Sequence, residues 1–274
     1  MPIQIQSQNF STEPELRYQM IDTRYRLLTH IHQFAEMLIM LEGELTVTVD
    51  GKAEMLTKGQ AAFVFPFQRH GYHSDVNNKL AVFVFSPALL SDYFKSIDGL
   101  VGERAVFTPS KATLKAFEEK IFEADDFGLS SIKGCIYLAL SDFSEQIDLK
   151  KTSSENNMSE RVVSYINEHI TEEITLASIA QALGYSPKYL SNCISKLFGM
   201  NLRTVIAAVR VNKAKYLLRE TDKTGLEIMS ECGFGTERSY HRQFKAILGR
   251  TPKYIRKNYY KGSKIDQGIV KKFQ

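Results

Sequence analysis

The sequence has few of the features that mark secreted, membrane or disulfide-stabilised proteins. Its three cysteines, Cys135, Cys193 and Cys232, are odd in number and far apart, which argues against a disulfide framework and indicates reduced, buried thiols. No apolar run reaches the roughly 20 residues of a membrane-spanning helix. The first residues lack the basic and apolar segments of a secretory leader. We therefore expect a cytoplasmic protein with no membrane partner.

Motifs that carry catalytic chemistry are equally scarce. No Ser-His-Asp order, glycine-rich phosphate loop or pair of catalytic acids stands out in the chain. The sequence gives no reason to assign a catalytic role to any of the cysteines. We therefore predict that the protein is not an enzyme, has no catalytic residues and needs no cofactor.

The distribution of charge is uneven. The net charge of +4 hides a first part, residues 1–159, with 15 basic and 21 acidic side chains, and a second part, residues 160–274, with 20 basic and 10 acidic ones. An acidic part joined to a basic part places a polyanion-binding surface in the second. At 274 residues the chain is long enough for two domains, each with its own core.

The clearest pattern begins at Gly225 and ends at Lys245. It predicts a short helix through Glu231, a tight turn over Gly233-Phe234-Gly235 and a second helix capped by Thr236, because glycine permits a positive φ and threonine can accept from free helical N–H groups. The second helix has an apolar stripe opposite a basic face. The stripe is Tyr240, Phe244, Ile247 and Leu248, and the basic face is Arg238, Ser239, His241, Arg242 and Lys245. This pattern is typical of a helix-turn-helix with a basic recognition helix.

The same pattern occurs earlier in the chain. Gly184 precedes Gly233 by 49 residues, and after the turn Ser186 precedes Thr236 by 50. The buried stripe of the first recognition helix is Leu190, Ile194, Leu197 and Phe198. A repeat is stronger evidence than either copy alone, since one such pattern often arises by chance. Residues 202–220 between the copies predict one longer helix that contributes to a shared core.

Several runs in this region resemble the AraC/XylS family of transcription regulators. They are Leu-x-x-Ile-Ala-x-x-x-Gly-Tyr-Ser-Pro-x-Tyr-Leu-Ser at 176–191, Arg-Val-x-x-Ala-Lys-x-Leu-Leu at 210–218, and the stretch from Gly233-Phe234 to Gly-x-Thr-Pro-x-x-Ile-Arg at 249–256. The resemblance covers roughly the last 100 residues and is specific, because several spacings agree at once.

The resemblance implies binding of double-stranded operator or promoter DNA by both recognition helices. Lys188, Ser191 and Asn192 in the first unit, and Arg238, Ser239 and Arg242 in the second, are the base-contacting residues it implies. Lys196, His241 and Lys245 would contact phosphates. Asn192 stands where the family often has arginine, which suggests weaker electrostatics in the first unit. The family also implies an activator that contacts RNA polymerase and forms a homodimer.

The first part of the chain predicts short strands separated by turns. Between residues 44 and 49 apolar and polar residues alternate, and Asp50-Gly51 then turns the chain as a two-residue hairpin would. Further strands are predicted at 61–65 and 80–85. Strands of this length and spacing are typical of a barrel or jelly roll.

Four polar residues in that part resemble the signatures of the cupin barrel. His30-x-His32-x3-Glu36-x6-Gly43 resembles the first signature, and Gly59, Pro66 and His70 resemble a degenerate second one. Two or three imidazoles and a carboxylate suit a transition metal. The alternative is that His30, His32, Glu36 and His70 bond to one another or bind an organic effector, such as a sugar or a small acid. Because the second signature is imperfect, we expect the effector and no metal.

These observations predict an α+β protein with an N-terminal cupin-like antiparallel β-barrel and linker helices, followed by an all-α domain with two helix-turn-helix units. The predicted segments are an effector-binding barrel at 1–105, a helical dimerisation or connecting segment at 106–149, a linker at 150–159, a DNA-binding domain at 160–258 and a basic tail at 259–274. The predicted function is that of an effector-controlled transcription regulator. Two alternatives stay open, namely a metal-dependent cupin enzyme fused to a DNA-binding module and a DNA-binding protein without an effector.

Overall fold

The computed structural model describes residues 4–5, 16–125 and 127–259. Between Thr152 and Ser153 the chain divides into two compact units, which we call the barrel unit, residues 13–152, and the helical unit, residues 153–263. The α+β class is confirmed. The predicted basic tail lies outside the described residues, apart from Tyr259 at the end of the last helix. Among the described residues, no helix is long and apolar enough to span a bilayer.

The barrel unit consists of antiparallel strands in two main sheets. The short strand β1 (Gln4–Ile5) precedes this unit in the chain, and the strands of the unit are β2 (Leu16–Thr23), β3 (Arg26–Ile31), β4 (Ala35–Glu42), β5 (Glu44–Val49), β6 (Lys52–Thr57), β7 (Ala61–Val64), β8 (His70–His73), β9 (Asn78–Phe85), β10 (Leu100–Gly102), β11 (Val106–Phe107) and β12 (Leu149–Lys151). One sheet contains β3, β8, β5 and β6 in that order, and the other contains β11, β7, β4, β9 and β2. Strands β10 and β12 pair with each other.

The predicted hairpin between β5 and β6 is confirmed. Val49 pairs with Lys52, and the two intervening residues, Asp50 and Gly51, have φ values of 48° and 84°. Positive φ at both positions is the geometry whose twist matches that of the flanking strands. The Asp50 carboxylate also accepts hydrogen bonds from Gln68 and from the backbone N–H of Arg69, which join the turn to the start of β8.

The second sheet of the barrel unit is covered on both faces. Strand β4 is buried from Ala35 through Met40 because its two faces serve different cores. Leu38 and Met40 pack between the two sheets, whereas Met37 and Ile39 face the helices outside. Those helices are α1 (Ser91–Ser96), preceded by a 3₁₀ turn (Pro87–Leu90), α2 (Lys111–Phe117), continued by a π-helical turn (Glu118–Phe122), and α3 (Leu129–Gln146). Helices are therefore present in the segment predicted as helical, 106–149, and they pack on the barrel.

The range predicted as an irregular linker, 150–159, is mostly regular structure. Strand β12 continues to Lys151, and helix α4 begins at Ser154. The Ser153 hydroxyl accepts from the backbone N–H of Asn156 and caps this helix. The sequence does not predict the start of α4 because the first turn of this helix is polar, although Asn156 and Met158 are buried.

The helical unit contains the two predicted helix-turn-helix copies. Its helices are α4 (Ser154–Glu168), α5 (Leu176–Leu183), α6 (Pro187–Phe198), α7 (Leu202–Glu220), α8 (Gly225–Glu231), α9 (Glu237–Leu248) and α10 (Pro252–Tyr259). The predicted caps are confirmed: Ser186 accepts from the N–H of Tyr189 and Thr236 from that of Ser239. The connecting helix α7 has the predicted bounds. Of the cysteines, all free, Cys135 and Cys232 are buried, but Cys193 is half-buried rather than buried.

The two turn glycines, equivalent in the repeat, have different surroundings. Gly184 has a φ of +75° and Gly233 a φ of +71°, so both need the left-handed conformation. A Cβ atom at Gly184 would meet nothing within 4 Å, but one at Gly233 would lie 2.0 Å from the carbonyl oxygen of Ile170. Of the two turn glycines, Gly233 is therefore the one whose backbone lies close to another backbone segment, at Ile170.

This difference predicts unequal costs for the same substitution. Gly184→Ala should destabilise the helical unit by about 1–2 kcal/mol, because alanine resists the left-handed conformation. Gly233→Ala should cost a further ~1–3 kcal/mol, because the new methyl group must also displace the Ile170 carbonyl. Urea denaturation of the full chain, followed by circular dichroism, measures both. Equal losses would show that the close approach at Gly233 is not maintained in solution.

Candidate functional site

The exposed faces of the two recognition helices, α6 and α9, correspond residue by residue. Leu190 and Tyr240 occupy the same buried position, as do Ile194 and Phe244, all at an offset of 50 residues. The same offset pairs Lys188 with Arg238, Asn192 with Arg242 and Ser191 with His241. All nine predicted DNA-binding residues except Ser239 are exposed: Lys188, Ser191, Asn192, Lys196, Arg238, His241, Arg242 and Lys245. The structure thus presents them where a duplex could contact them.

Ser239 is the exception among the predicted base-contacting residues. It is half-buried, and its hydroxyl lies 3.4 Å from the side-chain nitrogen of Gln243, which donates to it. The offset shows that His241, not Ser239, occupies the position of Ser191. Ser239 is therefore a weaker choice for contact with bases than its basic neighbours.

A cleft of about 620 Å³ adjoins the first recognition helix and the first half of α7. Ser191 and Ser195 of α6, Arg203 near the start of α7 and Gln243 of α9 line it. Residues of both recognition helices thus line one concave surface, with Gln243 as the contribution of α9. Neither Arg203 nor Gln243 was identified from the sequence, although Gln243 follows Ser239 by one helical turn, a spacing that predicts a shared face.

Two arginines connect the helices of this unit. Arg161 of α4 donates to the Tyr185 hydroxyl at 3.1 Å and to the Leu183 carbonyl at 3.0 Å, at the turn before α6. Arg210 of α7 donates to the carbonyls of Ile170 and Glu172 at 3.1 and 2.7 Å. Charge-assisted hydrogen bonds of this kind hold α4 and α7 against the segment that carries the first recognition helix.

In the barrel unit, the four predicted effector residues converge between the two sheets. His30 on β3 and His70 on β8 are cross-strand neighbours, Glu36 projects from β4 of the opposite sheet, and His32 lies between β3 and β4. Their potential ligand atoms all lie within 4.8 Å of one another. None of the four residues is more than 4% exposed. The sequence identified these residues correctly as one cluster.

Backbone contacts define the orientation of two imidazoles. His30 Nδ1 lies 2.9 Å from the Leu28 carbonyl oxygen, and His70 Nδ1 lies 2.8 Å from that of Gln68. Because a carbonyl can only accept, each Nδ1 carries a proton, and the lone pair of a neutral ring is on Nε2. Both Nε2 atoms are buried without a hydrogen-bond partner in the described structure. Burial, with the neighbouring histidines, lowers the pKa of His30 to about 3, so this ring is neutral.

Glu36 has a partner on each carboxylate oxygen. Oε1 lies 2.7 Å from His32 Nε2, which donates to it, and 3.6 Å from His70 Nε2, too far for a hydrogen bond. Oε2 accepts from the Tyr72 hydroxyl at 2.6 Å. Burial alone would raise the pKa of Glu36, but the imidazoles of His70 and His32 outweigh it and hold the pKa well below its usual range. The carboxylate is therefore ionised.

Tyr72 also belongs to this cluster, although no sequence motif pointed to it. Its ring is 2% exposed, and burial together with the Glu36 carboxylate raises the pKa of Tyr72 well above its usual range. The hydroxyl therefore stays protonated and donates. Alternation along β8 could have identified it, since residues two apart on a strand, here His70 and Tyr72, share a face.

The cluster fits a divalent transition ion. Ligands on opposite sides of such an ion are about 4.2 Å apart, twice a metal–nitrogen distance of about 2.1 Å, so donors within 4.8 Å need only small shifts. Backbone carbonyls that hold Nδ1 and leave Nε2 inward are the usual support for metal-binding histidines. A buried polar atom left unpaired costs about 1–3 kcal/mol, and hydrogen bonds within the cluster leave His30 and His70 Nε2 unpaired. The geometry therefore favours the metal alternative over a cluster held only by its own hydrogen bonds, although the sequence led us to expect no metal.

Known proteins share both halves of this architecture. Residues 179–258 match the helix-turn-helix domain family and residues 20–86 the cupin domain family. The transcriptional regulator YobQ of Bacillus subtilis (strain 168), itself described as uncharacterized, is 23% identical over 86% of this chain and 91% of its own length. The transcriptional activator RhaS of Enterobacter sp. (strain 638) is 24% identical over 83% of this chain and 86% of its own length. The crystal structure of ToxT from Vibrio cholerae superposes with a TM-score of 0.53 at 13% identity, over 89% of this chain and 97% of ToxT.

A cupin-like barrel followed by two helix-turn-helix units defines a DNA-binding transcription regulator of two domains. The chain belongs to the AraC/XylS family of such regulators.

The bounds of α4 predict which fragment binds DNA. Residues 153–263 should fold and bind duplex DNA with a log–log salt slope near −5 if about six phosphates are contacted, because each contact releases counterions. A fragment from residue 160, the boundary expected from the sequence, should be less stable because it lacks the Ser153 cap and the buried Met158. Binding titrations across salt concentrations and thermal unfolding measure these effects. Affinity that does not change with salt would contradict the electrostatic account.

Proposed function

We propose that this protein is a sequence-specific DNA-binding transcription regulator, controlled by a ligand in the barrel unit. The observation that supports DNA reading best is the pair of equivalent exposed faces on α6 and α9. An α-helix fits the major groove of B-form DNA, and two helices held on one side of a protein can enter successive grooves.

Base contacts are assigned to the centres of the two exposed faces. Arg238 and Arg242 lie one turn apart on α9, opposite the buried Tyr240 and Phe244. An arginine there can donate two hydrogen bonds to guanine O6 and N7, and Asn192 on α6 can pair with adenine in the same way. Lys188 and Ser191 complete this set in the first unit. Lys196, His241 and Lys245, with the N-termini of the recognition helices, contact phosphates.

Regulation is assigned to activation by a ligand-bound homodimer that contacts RNA polymerase beside the promoter. The relative RhaS is named an activator, and it aligns with both units of this chain. The ligand site is the cluster of His30, His32, Glu36 and His70, in which Nε2 of His30 and of His70 is buried without a hydrogen-bond partner. ToxT, which shares this fold, has been crystallised with an unsaturated fatty acid bound.

We infer that the barrel senses its ligand and does not transform it. The enzyme alternative would use the same four residues and would require turnover of a bound compound. The relatives YobQ and RhaS are both named transcriptional regulators, which supports sensing. The effector-free alternative is disfavoured by the two buried Nε2 atoms, which a purely structural barrel would not need.

Arg242 and Lys245 should respond differently to truncation. Arg242→Ala should cost about 1–3 kcal/mol on the preferred site and reduce discrimination at one or two base pairs, because it removes a base contact. Lys245→Ala should weaken binding to all sequences alike and reduce the salt slope by about one unit, because it removes a phosphate contact. Titrations on the operator, its single-base variants and random DNA, at several salt concentrations, separate the two effects.

The matched control is Lys111→Ala, which removes one exposed positive charge from α2 of the barrel unit. It should leave affinity and salt slope unchanged. If Arg242→Ala lowers specific and random binding equally, Arg242 contacts phosphate, and the assignment of the base-contacting face is wrong.

The dimer is assigned to the outer face of α3. The inner face of this helix, with Ile136 and Phe143, packs on the barrel, whereas Tyr137 and Leu138 are 38% and 47% exposed. Exposed apolar side chains on the outward side of a helix, here the adjacent Tyr137 and Leu138, are typical of association surfaces.

Leu138→Asp should therefore convert the dimer into a monomer, because it places a charge in the apolar contact. Met55→Asp is the control, since Met55 is 51% exposed on β6 and lies outside the assigned surface. Sedimentation equilibrium of the full chain measures both. A wild-type chain that stays monomeric, or equal effects of the two substitutions, would contradict the assignment to α3.

A further inference from the structure

We propose that Tyr72 is a positioning residue for a divalent transition ion held by His30, His32, Glu36 and His70. By donating to Glu36 Oε2, its hydroxyl turns Oε1 toward the imidazoles and limits the carboxylate to one coordinating oxygen. This inference deepens the proposed function, because it makes an ion the ligand class of the barrel.

The space between the donors favours an ion over the sugar or small acid expected from the sequence. The donors lie within 4.8 Å of one another, and each residue is at most 4% exposed. Pockets for organic ligands are typically about 300–1,000 Å³. Three imidazoles and one carboxylate are ligands that suit zinc, iron, cobalt or nickel, whereas magnesium and calcium prefer oxygen.

Two of the imidazoles are already oriented for coordination. The carbonyls of Leu28 and Gln68 hold Nδ1 of His30 and His70, so that each Nε2 points inward. The rings of His30 and His70 lie 4.1 Å apart between centroids, and those of His32 and His70 lie 4.7 Å apart. The pairing of β3 with β8 makes His30 and His70 neighbours, and it therefore also brings their Nε2 lone pairs together.

His32 and Glu36 must change partners when an ion binds. In the structure His32 Nε2 donates to Glu36 Oε1 at 2.7 Å, so the donor and the acceptor are both potential ligand atoms. If His32 Nε2 and Glu36 Oε1 hold an ion instead of the shared proton, the neutral ring keeps its one proton on Nδ1, which lies 3.2 Å from the Phe34 carbonyl oxygen. Glu36 would lose its hydrogen bond to His32 in this exchange, and the contact from Tyr72 to Oε2 is the one that can persist.

Tyr72 is itself fixed in position. It lies on β8, two residues after His70, and β8 pairs with β3 on one side and β5 on the other. Its ring stacks on Tyr25, with the centroids 5.8 Å apart and an angle of 22° between the planes. A buried ring on a central strand has little freedom, so its hydroxyl constrains the carboxylate that it contacts.

The experiment titrates the full chain, stripped with a chelator, with Co²⁺ and with Zn²⁺ against a chromophoric competitor. The wild-type chain should bind one ion. Tyr72→Phe, which retains the ring and removes the hydroxyl, should weaken binding 10- to 100-fold, the usual effect of losing an outer contact to a ligand. It should also change the visible Co²⁺ spectrum, because Glu36 could then offer both oxygens. Tyr18→Phe is the matched control, because the Tyr18 hydroxyl is buried without a hydrogen-bond partner in the core between the second sheet and the helices. This variant should bind the ion as the wild-type chain does.

A second comparison tests whether Tyr72 acts through Glu36. In a Glu36→Ala background, the further substitution Tyr72→Phe should have no additional effect on ion affinity, because the carboxylate that it orients is gone. The same loss in both backgrounds would overturn the positioning role. An unchanged affinity and spectrum for Tyr72→Phe, or a wild-type chain that binds no ion, would also overturn the proposal.

If Tyr72→Phe does not fold, a crystal structure of the Co²⁺-loaded wild-type chain decides. Oε1 on the ion and Oε2 on Tyr72 would support the proposal, and both oxygens on the ion would overturn it. These measurements use no DNA. A wild-type chain that binds DNA specifically but no ion would overturn this inference alone, and loss of specific DNA binding would overturn the proposed function instead.

Discussion

The interior of the barrel depends on one buried carboxylate. Glu36 is 4% exposed, and an ionised group at that depth is tolerated only when it is paired and hydrogen-bonded. Tyr72 and His32 provide the hydrogen bonds from β8 and from the β3–β4 connection, so the carboxylate of one sheet is held by groups associated with the other. The same arrangement leaves two imidazole nitrogens directed inward without a partner. The stability of this cluster and its ability to bind a ligand therefore depend on the same contacts.

The helical unit follows a different rule, since its recognition surface depends on backbone termination. Each recognition helix begins at a hydroxyl cap and ends at a glycine in the left-handed region, Gly199 for α6 and Gly249 for α9. These signals set where the helix starts, and the apolar stripe sets which face is buried. The opposite face of each helix is therefore exposed to solvent, and its basic residues are available to a polyanion.

The repeat also shows how far equivalence extends. The two copies agree at the buried positions of α6 and α9 and at their caps, yet only Gly233 meets another backbone segment, at Ile170. The exposed positions differ as well, since Asn192 corresponds to Arg242 and Ser191 to His241. The two copies therefore share their local structure but differ in how their turns pack and in the charge on their exposed faces.

The sequence by itself determined the parts of this protein that depend on local chemistry. The caps, the turn glycines, the bounds of α7 and the Asp50-Gly51 hairpin follow from short-range backbone preferences, which few tertiary contacts override. The resemblance to the cupin signatures also identified His30, His32, Glu36 and His70 as one cluster. Only the tertiary structure decided that Tyr72 holds Glu36, that Ser239 is half-buried, that α4 begins within the predicted linker and that Gly233 faces Ile170. These features depend on contacts between residues that are distant in the chain, or on which side of a helix or strand another element covers. Sequence periodicity predicts the helix or strand itself but not the element that packs against it.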